Sequence, residues 1–132
     1  MTTSGKRSPR IHPPHALGRL GEARARDYLV ARGWVIEAQN YRFGRREVDI
    51  VARKGNLVAF VEVKTRAGDG FGAPEEAVTA LKRREIEIVA GWYLRTHHLV
   101  DVDVRFDVVS VTVGPHARLE HLEDAWRPER PR

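Results

Sequence analysis

Arg46-Glu47-Val48-Asp49-Ile50-Val51-Ala52, then Arg53-Lys54-Gly55-Asn56, then Leu57-Val58-Ala59-Phe60-Val61-Glu62-Val63-Lys64, is the stretch that decides the fold. The first segment alternates and is rich in β-branched residues, so it reads as a strand. The third segment is more apolar and reads as a second, more deeply buried strand. Gly55-Asn56 signals a hairpin between them. A two-residue turn at Lys54-Gly55 would set Asp49 against Phe60 and Glu47 against Glu62. Side chains alternate with period two, so Asp49, Glu62 and Lys64 share one sheet face. Asp49 then lies diagonal to Glu62, at roughly 7–8 Å, near enough for both carboxylates to reach one ion.

An unpaired charge on a packed face costs several kcal/mol. A divalent ion resolves that conflict for the acids. Mg²⁺ takes oxygen ligands at about 2.0–2.1 Å and is held by one or two carboxylates plus waters and substrate phosphate. Lys64 would then hold or help deprotonate an attacking water and counter charge building on a phosphate. Spacing alone leaves a second reading open, a Glu62–Lys64 ion pair beside a solvated Asp49, because Glu-x-Lys is common in strands.

Asp49, the gap and Glu62-Val63-Lys64 resemble the D…(D/E)-x-K signature of the restriction-endonuclease-like PD-(D/E)xK superfamily. The wider text resembles one family within it, the YraN-like (UPF0102) proteins. The matching stretches are Gly18-Arg19-Leu20-Gly21-Glu22, Glu47-Val48-Asp49-Ile50-Val51-Ala52, Phe60-Val61-Glu62-Val63-Lys64-Thr65-Arg66, Phe71-Gly72-Ala73-Pro74 and Arg105-Phe106-Asp107-Val108-Val109. They occur in order from about Leu17 to Val113. Arg46 departs from the family's usual Gly before the Glu-x-Asp segment, and Val48 stands where the superfamily's motif has Pro. The resemblance implies an α/β nuclease using Mg²⁺ or Mn²⁺. Asp49 and Glu62 would be metal ligands with the Val63 carbonyl as a third, Lys64 would act on water, and Glu22 would sit beside the metal from the first helix. The residues agree in part. The apolar stripe Leu17, Leu20, Gly21, Ala25, Tyr28 and Leu29 leaves Glu22 just outside it, able to look around the core edge. A surface salt bridge of Glu22 with Arg19 or Arg26 is the alternative.

A chain of 132 residues supports one domain and one core. A hydrophobic share of 42% marks a globular chain. Cysteine is absent, which excludes disulfides and thiolate metal sites and suits a cytoplasmic location. No apolar run approaches the about 18 residues of a membrane span. The basic N-terminus lacks the apolar segment of a signal peptide. The net charge of +5 is built from 19 Arg and 4 Lys against the acids. Arg suits bidentate phosphate contacts, although GC-rich coding also produces such an excess.

Residues 1–15 read as a disordered basic arm, 16–125 as one nuclease-like domain and 126–132 as a Pro/Arg tail. A helix is expected from Ala16 to Arg32, ended by Gly33. Trp34 to Tyr41 reads as a strand ahead of the hairpin. Arg66 to Ala73 is a Gly-rich loop, and Pro74 opens a helix running to about His97. Asp103 to Val113 is a strand and Leu119 to Leu122 a short edge strand. The order α-β-β-β-α-β predicts a mixed central sheet flanked by helices, with a parallel crossover through the second helix.

Glu47 shares the Asp49 face and reads as an outer ligand or a partner of Arg46 or Arg66. Asp107 is expected to pair with Arg105 or a helix residue rather than bind metal. Lys82-Arg83-Arg84 reads as a solvated charge run, with a reach of Lys82 to a phosphate as the lesser alternative, and Trp92 and Tyr93 read as core. Arg66, after the lysine, is a phosphate clamp, and Lys6, Arg7 and Arg10 of the arm add sequence-independent phosphate affinity. No recognition helix or zinc module is visible, which points to structured or branched DNA rather than a base sequence. The expected function is metal-dependent phosphodiester hydrolysis. The alternative is a non-catalytic nucleic-acid-binding module of the same fold.

Overall fold

The computed structural model describes residues 14–68 and 78–129, with the side chains of Pro14 and His15 outside the description. Lys6, Arg7, Arg10, the Phe71-Gly72-Ala73-Pro74 stretch and residues 130–132 therefore lie outside the described residues. The elements are α1 (Pro14–Ala31), β1 (Val35–Phe43), β2 (Arg46–Lys54), β3 (Leu57–Ala67), α2 (Ala80–Thr96), β4 (Asp103–Val113) and β5 (Arg118–Trp126). The five strands form one sheet in the order β1-β2-β3-β4-β5. β3 and β4 run parallel, and the other neighbours are antiparallel. This is the mixed α/β arrangement of a restriction-endonuclease-like fold, with the expected parallel crossover.

Successive residues of β3 serve opposite faces, as the pleat requires. Val58 and Phe60 pack with Ile86, Val89, Ala90 and Tyr93 of α2. Ala59 and Val61 pack with Ala25 and Leu29 of α1, together with Val109 and Val111. The sheet is thus covered by one helix on each face. α1 ends where Gly33 takes φ 96°, the left-handed stop that glycine supplies. α2 starts at Ala80, where the Thr79 hydroxyl accepts the Lys82 N–H at 3.2 Å. The expected start at Pro74, with its two glutamates, lies outside the described residues. No described helix is long and apolar enough to cross a membrane.

Two expectations need correction. The hairpin turn is Gly55-Asn56, not Lys54-Gly55: Lys54 pairs with Leu57. Gly55 sits at φ 59°, which glycine adopts freely and lysine disfavours, so the glycine takes the first turn position. Every pair shifts accordingly, and Ile50 faces Val61. The ladder stops at that pair, and Asp49, one residue beyond it, lies close enough to Glu62 for the two acids to act on each other. The second correction concerns β5, which runs nine residues from Arg118 to Trp126 rather than the short Leu119–Leu122. Asp124 at φ 54° and a register shift between Phe106 and Val108 break the alternation that would have announced it. Trp126, assigned to the tail, closes β5 and stacks on Phe106 at 5.1 Å.

Candidate functional site

The β2–β3 ladder ends at Ile50 and Val61, while β3 stays paired with β4 through Ala67. Beyond that point a side chain takes the place of a strand bond: Asp49 Oδ2 accepts the Val63 N–H at 2.8 Å. N–H and C=O of one strand residue point to the same neighbour, so the Val63 carbonyl also faces the β2 side. Glu62 Oε1 is buried and has no hydrogen-bond partner among the described residues.

Burial pushes the Asp49 carboxyl up to about 8; the Glu62 charge adds to the rise and the Val63 N–H opposes it. Burial likewise raises Glu62, and Lys82 is the strongest influence lowering it. Two carboxylates this close in a desolvated place share a proton unless a cation is present. An orphaned buried oxygen, a neighbouring acid and an adjacent carbonyl form a hard-oxygen donor set that fits Mg²⁺ or Mn²⁺. Asp49, Glu62 and the Val63 carbonyl are the groups that would hold it. Among the described residues no three His, Asp or Glu side chains converge closely enough to hold an ion together.

Glu22 is therefore not brought into a ligating trio. Its Oε1 accepts from Asn40 Nδ2 at 3.0 Å, yet its charge still raises both Asp49 and Glu62. α1 reaches this position because Gly21 has no side chain: a Cβ there would overlap the Thr65 hydroxyl of β3. Glu47 pairs across the β1–β2 hairpin with Arg42 at 3.6 Å, a partner not among those expected. Lys64 is exposed and Arg66 half-buried, both past the acid pair along β3.

Lys82 is the residue that sequence reasoning undervalued. Read as part of a solvated run, it is half-buried, and it is the cation that most strongly influences Glu62. The signal was present in the helix phase. Lys82, Ile86, Val89 and Tyr93 follow the 3.6-residue repeat, so the lysine extends the buried stripe of α2 by one turn. Tyr93 is core as expected, but Trp92 is 38% exposed and stacks on Phe43 at 4.6 Å.

Asp107 is fully buried and held by Arg105 through Nε at 2.8 Å and Nη2 at 2.9 Å, as expected, and by His121 Nε2 at 2.8 Å, which was not foreseen. A cavity of about 680 Å³ lies at the start of β3, lined by Leu57, Val104, Phe106 and Trp126 among others. Its Arg105 and Arg127 are already paired with Asp107 and Asp124. The unpartnered buried oxygen is on Glu62 instead, so chemistry rather than volume locates the candidate site.

The family model described as "Uncharacterised protein family UPF0102" matches residues 21–111. A UPF0102 protein of Chlorobium limicola is 45% identical over 122 residues, covering 87% of this chain and 95% of its own. One from Rhodococcus jostii is 44% identical over 113 residues, covering 84% of this chain and 96% of its own. One from Alkaliphilus metalliredigens is 39% identical over 111 residues, covering 84% and 97%. The matched span holds Asp49, Glu62, Lys64 and Lys82, and with this agreement along nearly the whole length of its relatives the chain belongs to the UPF0102 family.

Proposed function

We propose that this protein is a metal-dependent nuclease that hydrolyses phosphodiester bonds, with structured or branched DNA as substrate. The observation that carries the reading is the Asp49–Glu62 pair, in which one buried Glu62 oxygen has no partner among the described residues and Asp49 is raised to about 8. A stable fold does not keep two desolvated acids together without a countercharge from elsewhere. When bound, Mg²⁺ or Mn²⁺ would supply Lewis acidity toward a phosphate oxygen and a more acidic water. Hydrolysis adds water across the P–O bond, hydroxyl to phosphorus and proton to the leaving oxygen. Lys64, exposed on the same sheet face, holds and orients that water and opposes the charge growing on the phosphate. Arg66, two residues on, clamps a neighbouring phosphate. The net charge of +5 adds affinity without sequence preference. A non-catalytic binding module is the second reading, favoured by the absence, among the described residues, of a third acid converging on the pair.

The purified full chain with Mn²⁺ or Mg²⁺, assayed against linear, nicked, flapped and four-way DNAs, separates these readings. Cleavage favouring the branched substrates is expected, and it should vanish in Glu62→Gln together with most Mn²⁺ affinity. Binding without cleavage in every arm would leave the binding module. Equal Mn²⁺ affinity in Glu62→Gln and parent would remove the acid pair as the site.

A further inference from the structure

The basic run at the start of α2 divides three ways. Arg83 donates from Nε to the Val78 carbonyl at 3.2 Å and lies over the Trp126 ring at 5.5 Å. Arg84 is exposed to solvent. Lys82 is half-buried and continues the stripe of Ile86, Val89, Ala90 and Tyr93, the face of α2 that packs on the sheet. That face of the sheet also carries Glu62 and Lys64, which alternate with Val58 and Phe60 along β3. Lys82 therefore approaches the acid pair from the helix layer, whereas Lys64 stands on the strand itself and is exposed.

Local physics argues against a lysine here. With Thr79 as N-cap, Lys82 is the third helical residue, where capping chemistry favours Glu or Gln reaching back to the cap. The positive end of the helix dipole also disfavours a cation in this turn, and no acid is present in it to compensate. A residue that opposes its local rule is accounted for by what it faces. Lys82 lies on the helix face packed against the side of the sheet that carries Glu62, and its charge favours the ionised Glu62.

We propose that Lys82 is a second lysine of the acid-pair site, contacting a non-bridging phosphate oxygen of bound nucleic acid from the α2 side. The inference rests on the nuclease reading and deepens it: the substrate phosphate lies between a strand lysine, Lys64, and a helix lysine, Lys82. Without substrate, Lys82 is a resident cation that competes with a divalent ion for the field of the acids.

Two variants of the full chain test this, Lys82→Met, which keeps the aliphatic stem and a good helix former, and Lys82→Arg. Thermal melts first establish that both fold. Calorimetry with Mn²⁺ alone should show Lys82→Met binding about threefold or more tightly, because a nearby positive charge has gone. Its affinity for a four-way DNA should fall, and the log–log salt slope should drop by about 0.9, the signature of one lost phosphate contact. Lys82→Arg should restore the slope. In cleavage, Lys82→Met should raise KM more than it lowers kcat. A folded Lys82→Met with parental Mn²⁺ affinity and parental salt slope overturns the assignment. If the parent itself neither binds nor cuts DNA, the nuclease reading falls and the role of Lys82 falls with it. If the parent cuts and Lys82→Met is indistinguishable, the lysine alone is misassigned.

Discussion

Asp107 on β4 and Asp49 on β2 are both aspartates on core strands of one sheet, and the fold treats them in opposite ways. Asp107 has no exposure, yet its oxygens are answered from three directions: the Arg105 guanidinium, the His121 ring and the Asp124 N–H at 3.0 Å. Burial alone would raise its carboxyl, but the bonds from His121 and Arg105 reverse that and hold it below the usual carboxylate range. Asp49 receives one backbone N–H and then faces another acid. The first site is closed, because all its countercharge is built into the chain. The second is open: Asp49 faces a second acid, and one Glu62 oxygen has no hydrogen-bond partner among the described residues. A buried acid with its own cation is architecture. A buried acid facing another acid is an invitation to a ligand.

The comparison breaks most readily at Asp107. Asp107→Ala strands Arg105 and His121 without their acceptor, and chemical denaturation should register a loss of about 3–5 kcal/mol. Asp49→Asn should leave the metal-free chain as stable as the parent or more so, because it removes a buried carboxyl whose ionisation is costly. Equal losses in the two variants would erase the distinction. Gly21→Ala comes next. The added methyl must displace Thr65 or lift α1, at about 1–3 kcal/mol, and the melts should show it with and without Mg²⁺. Activity should fall further than stability, because the displaced β3 segment carries Lys64.

A smaller effect separates the two aspartates by pH. Folded Asp49 keeps its proton up to about 8, while the unfolded chain releases it near the ordinary aspartate value of about 4. The folded state binds more protons between those limits, so this contribution to stability is present at low pH and lost as pH rises through that window. Asp107 has the opposite sign: its contribution is present above about pH 4 and lost as pH falls through its lowered pKa. Metal-free melts of parent and Asp49→Asn should converge in acid and separate by a few degrees toward pH 8, with the parent the less stable. Mg²⁺ should close that gap. A parent that gains on Asp49→Asn as pH rises would contradict the raised carboxyl. Last and least, Arg42→Ala removes an exposed cross-strand partner of Glu47 and should cost under about 1 kcal/mol. A larger loss would place Glu47 inside the open site rather than at its rim.

Much of this was legible in the chain because local signals agreed. β4 has the limits its pattern suggests, and the two hairpin strands bring Asp49 and Glu62 within each other's electrostatic reach. The register was misread by one position because Lys54-Gly55 and Gly55-Asn56 are equally short turns. Only the need for glycine at the positive φ of the first turn residue separates them. His121 was overlooked as the partner of Asp107 because it lies in a polar strand whose bulge destroys the period-two pattern. Lys82 was discounted for its neighbours, since a run of three cations reads as solvent-facing until the helix phase assigns each to its own direction. The acid pair was visible in the sequence. Its missing countercharge was not, because burial and opposition are properties of packing.

The bond from the Val63 N–H to Asp49 has a further consequence. An amide proton is a spectroscopic probe whose resonance follows the charge of its acceptor. Here that acceptor is the carboxyl that burial raises to about 8, and the group that would hold the ion under the proposed function. The backbone of β3 thus carries its own indicator. The Val63 amide signal should move along one path as the chain is titrated with base and along a related path as Mn²⁺-free Mg²⁺ is added, which makes the state of the site readable without any substrate.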